Sequence, residues 1–188
     1  FLTGSGGGTL ADAVKAIEYA TTLGVNLTSN SWGGGGFSQP MFDAIQAADE
    51  AGILFVAAAG NSASNNDTRA TYPASYELDN VIAVAATDSD DATAWFSNYG
   101  VETVDLAAPG VDVLSTVPGE AYETLSGTSM AAPHVSGAAA LLWAVDPDAT
   151  AADIKALLLD SVDPVEGLEV ITGGRLNVAN AVEAAIAR

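Results

Sequence analysis

The sequence contains no cysteine. That excludes disulfides, thiol nucleophiles and cysteine-based metal sites, and it leaves the redox compartment open. Histidine is nearly as scarce, His134 being the single one. Lysine and arginine number 5 against 24 aspartates and glutamates, a formal charge of −19 over 188 residues. The acidic residues are spread along the chain rather than gathered in a tail. A surface of that sign repels nucleic-acid phosphates and anionic membranes, so neither nucleic acid nor membrane is an expected partner. Long apolar runs are missing too. Residues 53–60 and 135–145 are too short or too interrupted by Gly and Ala to span a bilayer. No basic segment followed by an apolar one marks a signal peptide, so a chain opening on Phe1-Leu2-Thr3 is expected to be a processed product or a fragment.

What is present suits one globular domain. Hydrophobic residues make up 49 % of the chain, enough for a real core. Leu10, Ala13, Val14, Ile17, Ala20 and Leu23 recur at helical spacing, with Thr9 and Asp12 as a capping pair and Gly24 as the stop. A short strand is expected over 25–30, then a glycine-rich turn. A second helix opens at Ser38 and Pro40 and ends near Gly52. Residues 53–59 and 81–87 are continuous apolar runs, the pattern of parallel strands buried on both faces. Strands alternating with helices predict an α/β domain with a mostly parallel sheet. Residues 111–125 alternate around Pro118-Gly119, which predicts a hairpin, and three helices near 129–144, 150–161 and 178–187 finish the chain.

Ligands of open α/β sheets bind beyond the C-terminal ends of the strands. Three such ends carry unusual residues: Ser31-Trp32-Gly33-Gly34, Ala58-Ala59-Gly60-Asn61-Ser62, and Gly127-Thr128-Ser129 entering a helix. A serine at a helix N-terminus lies beside free backbone N–H groups and the positive end of the helix dipole, both of which favour a developing oxyanion. It also suits a plain helix cap, and Asn61 after Gly60 suits a plain turn. Pro133 is expected in the first turn of this helix, where its missing N–H costs nothing.

Leu125-Ser126-Gly127-Thr128-Ser129-Met130-Ala131-Ala132-Pro133-His134-Val135-Ser136-Gly137 resembles the nucleophile motif of the subtilisin-like serine proteases. Ala57–Asn61 resembles their oxyanion-hole segment, and residues 26–34 the strand and turn lining their substrate cleft. Tyr72-Pro73-Ala74-Ser75-Tyr76, Phe96-Ser97-Asn98-Tyr99-Gly100 and Leu106-Ala107-Ala108-Pro109-Gly110 match in the same order. The resemblance implies a three-layer α/β/α fold from which N-terminal strands and a helix are missing, residues 1–188 forming part of a peptidase domain. It implies Ser129 as nucleophile and Asn61 as oxyanion donor. It implies Gly6, Gly7 and Gly8 opposite Ser31, Trp32 and Gly33 as two backbone edges that clasp an extended peptide, although a flexible linker also suits the three glycines. Ala58, Ala59 and Gly60 would wall the S1 pocket above Thr71, with no charged residue to select the substrate side chain, and Trp32 would line S4.

The family's catalytic His and Asp lie in segments that do not occur in this sequence. His134 stands five residues past Ser129, about 140° around the helix and about 7.5 Å along it, so a structural role is expected. The chain alone is therefore expected to be nearly inactive. Alternatives are a peptide-binding pseudoprotease or one half of a split protease complemented by an N-terminal piece. The resemblance implies peptide or protein substrates, a secreted location and no required cofactor. The loop over 72–81 resembles a region where relatives bind a cation through carbonyls, which makes it the place to look for a structural calcium ion. Asp88-Ser89-Asp90-Asp91 reads as a solvated turn, and the sequons at Asn26 and Asn66 as incidental, the first within a buried strand. With its neighbour gone, strand 25–30 is expected to form an exposed edge that self-associates, or that the glycine-rich N-terminal segment covers.

Overall fold

The computed structural model describes residues 1–4 and 6–188. Helix α1 (Leu10–Leu23) begins where the Thr9 hydroxyl accepts the Asp12 N–H and stops at Gly24, whose φ of 65° is left-handed. Strand β1 (Leu27–Asn30), helix α2 (Gln39–Glu50) and strand β2 (Leu54–Ala58) follow. Strand β3 (Val81–Thr87) is buried at every position, as is β2. Strand β4 (Leu106–Pro109) comes next. The hairpin forms as β5 (Val113–Val117) and β6 (Ala121–Leu125), antiparallel and paired Val113 to Leu125.

Helices α3 (Thr128–Val145) and α4 (Ala151–Asp160), the two-residue strands β7 (Asp163–Pro164) and β8 (Gly174–Arg175), and α5 (Val178–Ile186) complete the chain. The main sheet has the order β1-β2-β3-β4-β8-β7. Its first four strands and β8 run parallel, while β7 is antiparallel. Two apolar cores lie on its two faces. Ala13 and Ile17 of α1 and Met41 and Ile45 of α2 meet Phe55 on one. Val135, Ala139 and Leu142 of α3 meet Val56, Val84 and Leu106 on the other, beside Ile154 of α4 and Ala181 of α5. The fold is the expected three-layer α/β/α sandwich.

Three expectations change, and two short strands appear that the sequence did not signal. Pro133 is not in the first turn: α3 starts at Thr128, so Pro133 is its sixth residue, inside the helix. Asn26 is exposed just ahead of β1 rather than buried in a strand. The short partners β7 and β8 follow no apolar run and went unseen. The N-terminal segment lies over Trp32, where the Phe1 ring stacks edge-on at 5.0 Å, and Thr3 closes a loop on Gly7. It therefore borders the cleft, while β1 remains the outermost strand of the sheet.

The remaining minor motifs are structural. The Asp88 carboxylate accepts the N–H groups of Asp90 and Ala92 and closes a turn. Asp91 pairs with Arg175. Asn66 is buried and donates to the Ala59 carbonyl, so its sequon is inaccessible. In the 72–81 loop, the carbonyls of Asp79 and Val81 accept the Lys155 ammonium at 3.0 and 2.7 Å. Those two oxygens already have an internal cation as partner.

Candidate active site

Three strand ends meet where the sequence placed them. A cleft of about 650 Å³ is lined by Gly6, Gly7 and Gly8 on one side and Ser31, Trp32 and Gly33 on the other. Ala58, Gly60, Asn61, Thr71, Asn98, Thr128 and Ser129 form its floor and end. Ala59 does not line it: that side chain is fully buried in the opposite core. No Asp, Glu, Lys or Arg is among the lining residues.

Ser129 is the second residue of α3, within the turn whose N–H groups have no intrahelical partners. Its neighbour Thr128 is fully buried and organises the floor. The Thr128 hydroxyl accepts the Gly60 N–H at 3.2 Å and donates to the side-chain oxygen of Asn61 at 2.9 Å. The Thr128 backbone N–H donates to that same oxygen at 2.8 Å. A backbone N–H can only donate, so this bond fixes which way the Asn61 amide is turned. Its oxygen faces the helix, and its NH₂ is left for the cleft, 3.5 Å from where a Cβ on Gly127 would stand. Thr128 was not singled out from sequence; its polar side chain inside an apolar, glycine-flanked motif was the available signal.

Asn98, also missed as an individual residue, supports this floor from below and is 1 % exposed. Its NH₂ donates to Ala59 O, Asn66 Oδ1 and Thr71 Oγ1, and its oxygen accepts Ser62 N–H and Ser64 N–H. The Ser129 hydroxyl donates to the Ser31 carbonyl at 3.3 Å, a long contact. His134 is exposed, and its Nδ1 lies 2.8 Å from the Met130 carbonyl. It is engaged on its own helix and does not join Ser129. Among the described residues no group of three His, Asp or Glu stands close enough to hold a metal ion. No described helix is long and apolar enough to cross a membrane.

The cleft thus brings together a hydroxyl at a helix N-terminus, an amide whose oxygen is held by the helix, and two glycine-containing backbone segments, 6–8 and 31–33. The subtilase family model matches residues 1–181. Subtilisin DY from Bacillus licheniformis is 44 % identical over 155 residues, 82 % of this chain and 56 % of that protein. Thermitase from Thermoactinomyces vulgaris is 40 % identical over 183 residues, 97 % of this chain and 63 % of that protein. The structure of the prenylagaramide maturation protease PagA superposes with a TM-score of 0.83 at 32 % identity, covering 93 % of this chain and 67 % of that one. The chain belongs to the subtilase family. It spans 56 % and 63 % of the lengths of those two curated relatives.

Proposed function

We infer that this chain carries the nucleophile and oxyanion half of a serine endopeptidase domain. Ser129 Oγ attacks the scissile carbonyl, and the oxyanion that forms is stabilised by the Asn61 NH₂, the Ser129 N–H and the N-terminal dipole of α3. The acyl-enzyme on Ser129 is then hydrolysed. The observation that carries this reading is the pair of hydrogen bonds that the Thr128 N–H and hydroxyl donate to the Asn61 side-chain oxygen, which turns the amide NH₂ away from the helix. The substrate lies extended between residues 6–8 and 31–33. A cleft without charged side chains favours an uncharged side chain over Thr71. No cofactor is needed for these steps, and the family resemblance favours a secreted protein.

Serine requires a base, and His134 is turned away on Met130. The base therefore comes from a polypeptide segment other than these 188 residues. The surface that would receive it is the outer edge of β1 and the exposed stripe of α3 made by Pro133, Gly137, Ala140, Leu141 and Ala144. α3 carries no Asp, Glu, Lys or Arg in 18 residues, although the chain as a whole is strongly acidic. An uncharged, largely apolar stripe of this kind on a helix is ordinarily one that is covered. The long Ser129–Ser31 contact, with no imidazole near, favours a second reading in which the cleft binds peptides without cutting them.

Hydrolysis of a chromogenic peptide by the purified chain separates the two, with Ser129→Ala as control. Turnover near background that rises when a segment supplying His and Asp is added supports the peptidase reading. Peptide binding unaltered by Ser129→Ala, with no turnover after complementation, supports the binding reading.

A further inference from the structure

The interior proline of α3 removes one hydrogen bond, and its location matters. In an α-helix the N–H of residue 133 would bond the carbonyl of residue 129. Pro133 has no N–H, so the carbonyl of Ser129 is released from the helix. The structure supplies a replacement from 98 residues away: the Ser31 hydroxyl donates to the Ser129 carbonyl at 2.8 Å. In return the Ser129 hydroxyl reaches the Ser31 carbonyl at 3.3 Å. The two serines are joined by a reciprocal pair, one strong bond and one weak.

We propose that Ser31 is a positioning residue for Ser129, and that Pro133 creates the vacancy its hydroxyl fills. The proposal rests on Ser129 being the nucleophile. Ser31 begins the 31–33 edge along which a peptide would align, so the bond ties the substrate-binding edge to the turn bearing the reactive hydroxyl. The strong bond runs to the Ser129 backbone, so it persists when the Ser129 side chain rotates towards a substrate. The weak one breaks at that moment and frees the Ser31 carbonyl. Residue 31 thus sets the height of the nucleophile relative to the peptide without touching the reacting atoms. Trp32 and Gly33, its neighbours on the same edge, keep their own roles against Phe55 and the Tyr72 carbonyl.

The rescue logic supplies the test. Ser31→Ala leaves the Ser129 carbonyl without its donor, whereas Pro133→Ala restores an in-helix donor to the same oxygen. The probes are the ¹³C resonance of the Ser129 carbonyl in labelled chain and, once a segment supplying His and Asp has been added, the rate at which a fluorophosphonate labels Ser129, with Ser129→Ala as the blank. Ser31→Ala is expected to shift the resonance and slow labelling about three- to tenfold, the equivalent of one neutral hydrogen bond. Ser31→Thr, which keeps a hydroxyl, is expected to keep the Ser129 carbonyl resonance near that of wild type. The double variant Ser31→Ala/Pro133→Ala recovers both the resonance and most of the rate. A double variant no better than Ser31→Ala, or a carbonyl resonance indifferent to Ser31→Ala, overturns the proposal while leaving Ser129 as nucleophile. Labelling that persists in Ser129→Ala overturns the nucleophile reading itself.

Discussion

Asn98 lies directly beneath Gly60: its N–H donates to the Gly60 carbonyl at 2.9 Å, and a Cβ on Gly60 would stand 2.5 Å from its side-chain nitrogen. Gly60 also has φ +117°, a region that side-chain-bearing residues rarely enter. The residue before Asn61 is therefore held by two independent demands, backbone conformation and the volume of a buried amide that cannot step aside. Asn98 makes five side-chain bonds, and moving it would strand several buried polar groups at once.

Gly60→Ala is accordingly expected to destabilise the chain by about 3 kcal/mol, about 1 from the positive φ and the rest from displacement of Asn98. Thermal or urea unfolding of the two proteins measures it. A loss below about 1 kcal/mol would mean that Asn98 yields freely.

Thr128→Val keeps the shape of the side chain and the backbone bond to Asn61 but deletes the hydroxyl relay. In the complemented peptidase it should lower kcat with little change in KM, because the Asn61 donors matter only once the oxyanion exists. Asn61→Ala should lower kcat by about 10²–10³. A Thr128→Val effect confined to KM would place the hydroxyl in ground-state binding.

The central strands were readable because burial on both faces erases alternation: β2 and β3 are uninterrupted apolar runs. The helix termini were readable where a cap has a side-chain signature, as at Thr9 and Gly24. Position 133 misled because proline is favoured early in helices, and only the length of the unbroken α3 pattern before it argued otherwise. β7 and β8 are two residues each, too short for any period, and exist because Asp163 and Arg175 pair in space. In the site, Ser129 and Asn61 were legible through the motif. Thr128, Asn98 and the Ser31 hydroxyl act through contacts between positions 27 to 98 residues apart, which no local pattern reports.

Asp105 makes stability depend on pH, and the environment of its carboxyl sets the direction. Burial pushes its carboxyl above the usual 3.8, while the Lys155 ammonium and the Ala83 N–H pull it back only in part. A carboxyl raised on folding favours the folded state when protonated. Its contribution is fully present below the unfolded value and is lost as pH rises through the folded value. Asp153 and Asp12 act oppositely, each held below the usual range first by a threonine hydroxyl, at Thr150 and Thr9. The Asp105 contribution must therefore be read as a difference between proteins. The stability of wild type minus that of Asp105→Asn should increase on acidification from neutrality towards pH 4. Urea unfolding series across that range measure it, and a difference that falls instead would reverse the assigned shift.

The outer edge of β1 and the apolar stripe of α3 form one continuous surface, tied together where the Ser136 hydroxyl donates to Ser29 at 2.9 Å. Asn26 gives its carbonyl to the Leu54 N–H. By the alternation of a parallel ladder, the N–H groups of Leu27 and Ser29 then point away from β2, free to pair with another strand. Beside them Leu141 is 46 % exposed. In the isolated chain these groups are expected to drive self-association, opposed by the charge of −19 that every copy carries. Added salt shortens the screening length to about 3 Å at 1 M, so association should strengthen with ionic strength. Light scattering from low to high salt reads this directly. Ser29→Pro removes one outward N–H, and Leu141→Gln removes apolar surface without altering charge; each should shift the equilibrium towards monomer. A chain that stays monomeric at all salts, or variants that associate as well as wild type, would move the sticky surface elsewhere. A complementing segment that pairs with β1 should abolish the association and restore turnover at the same concentration, because both depend on the one edge.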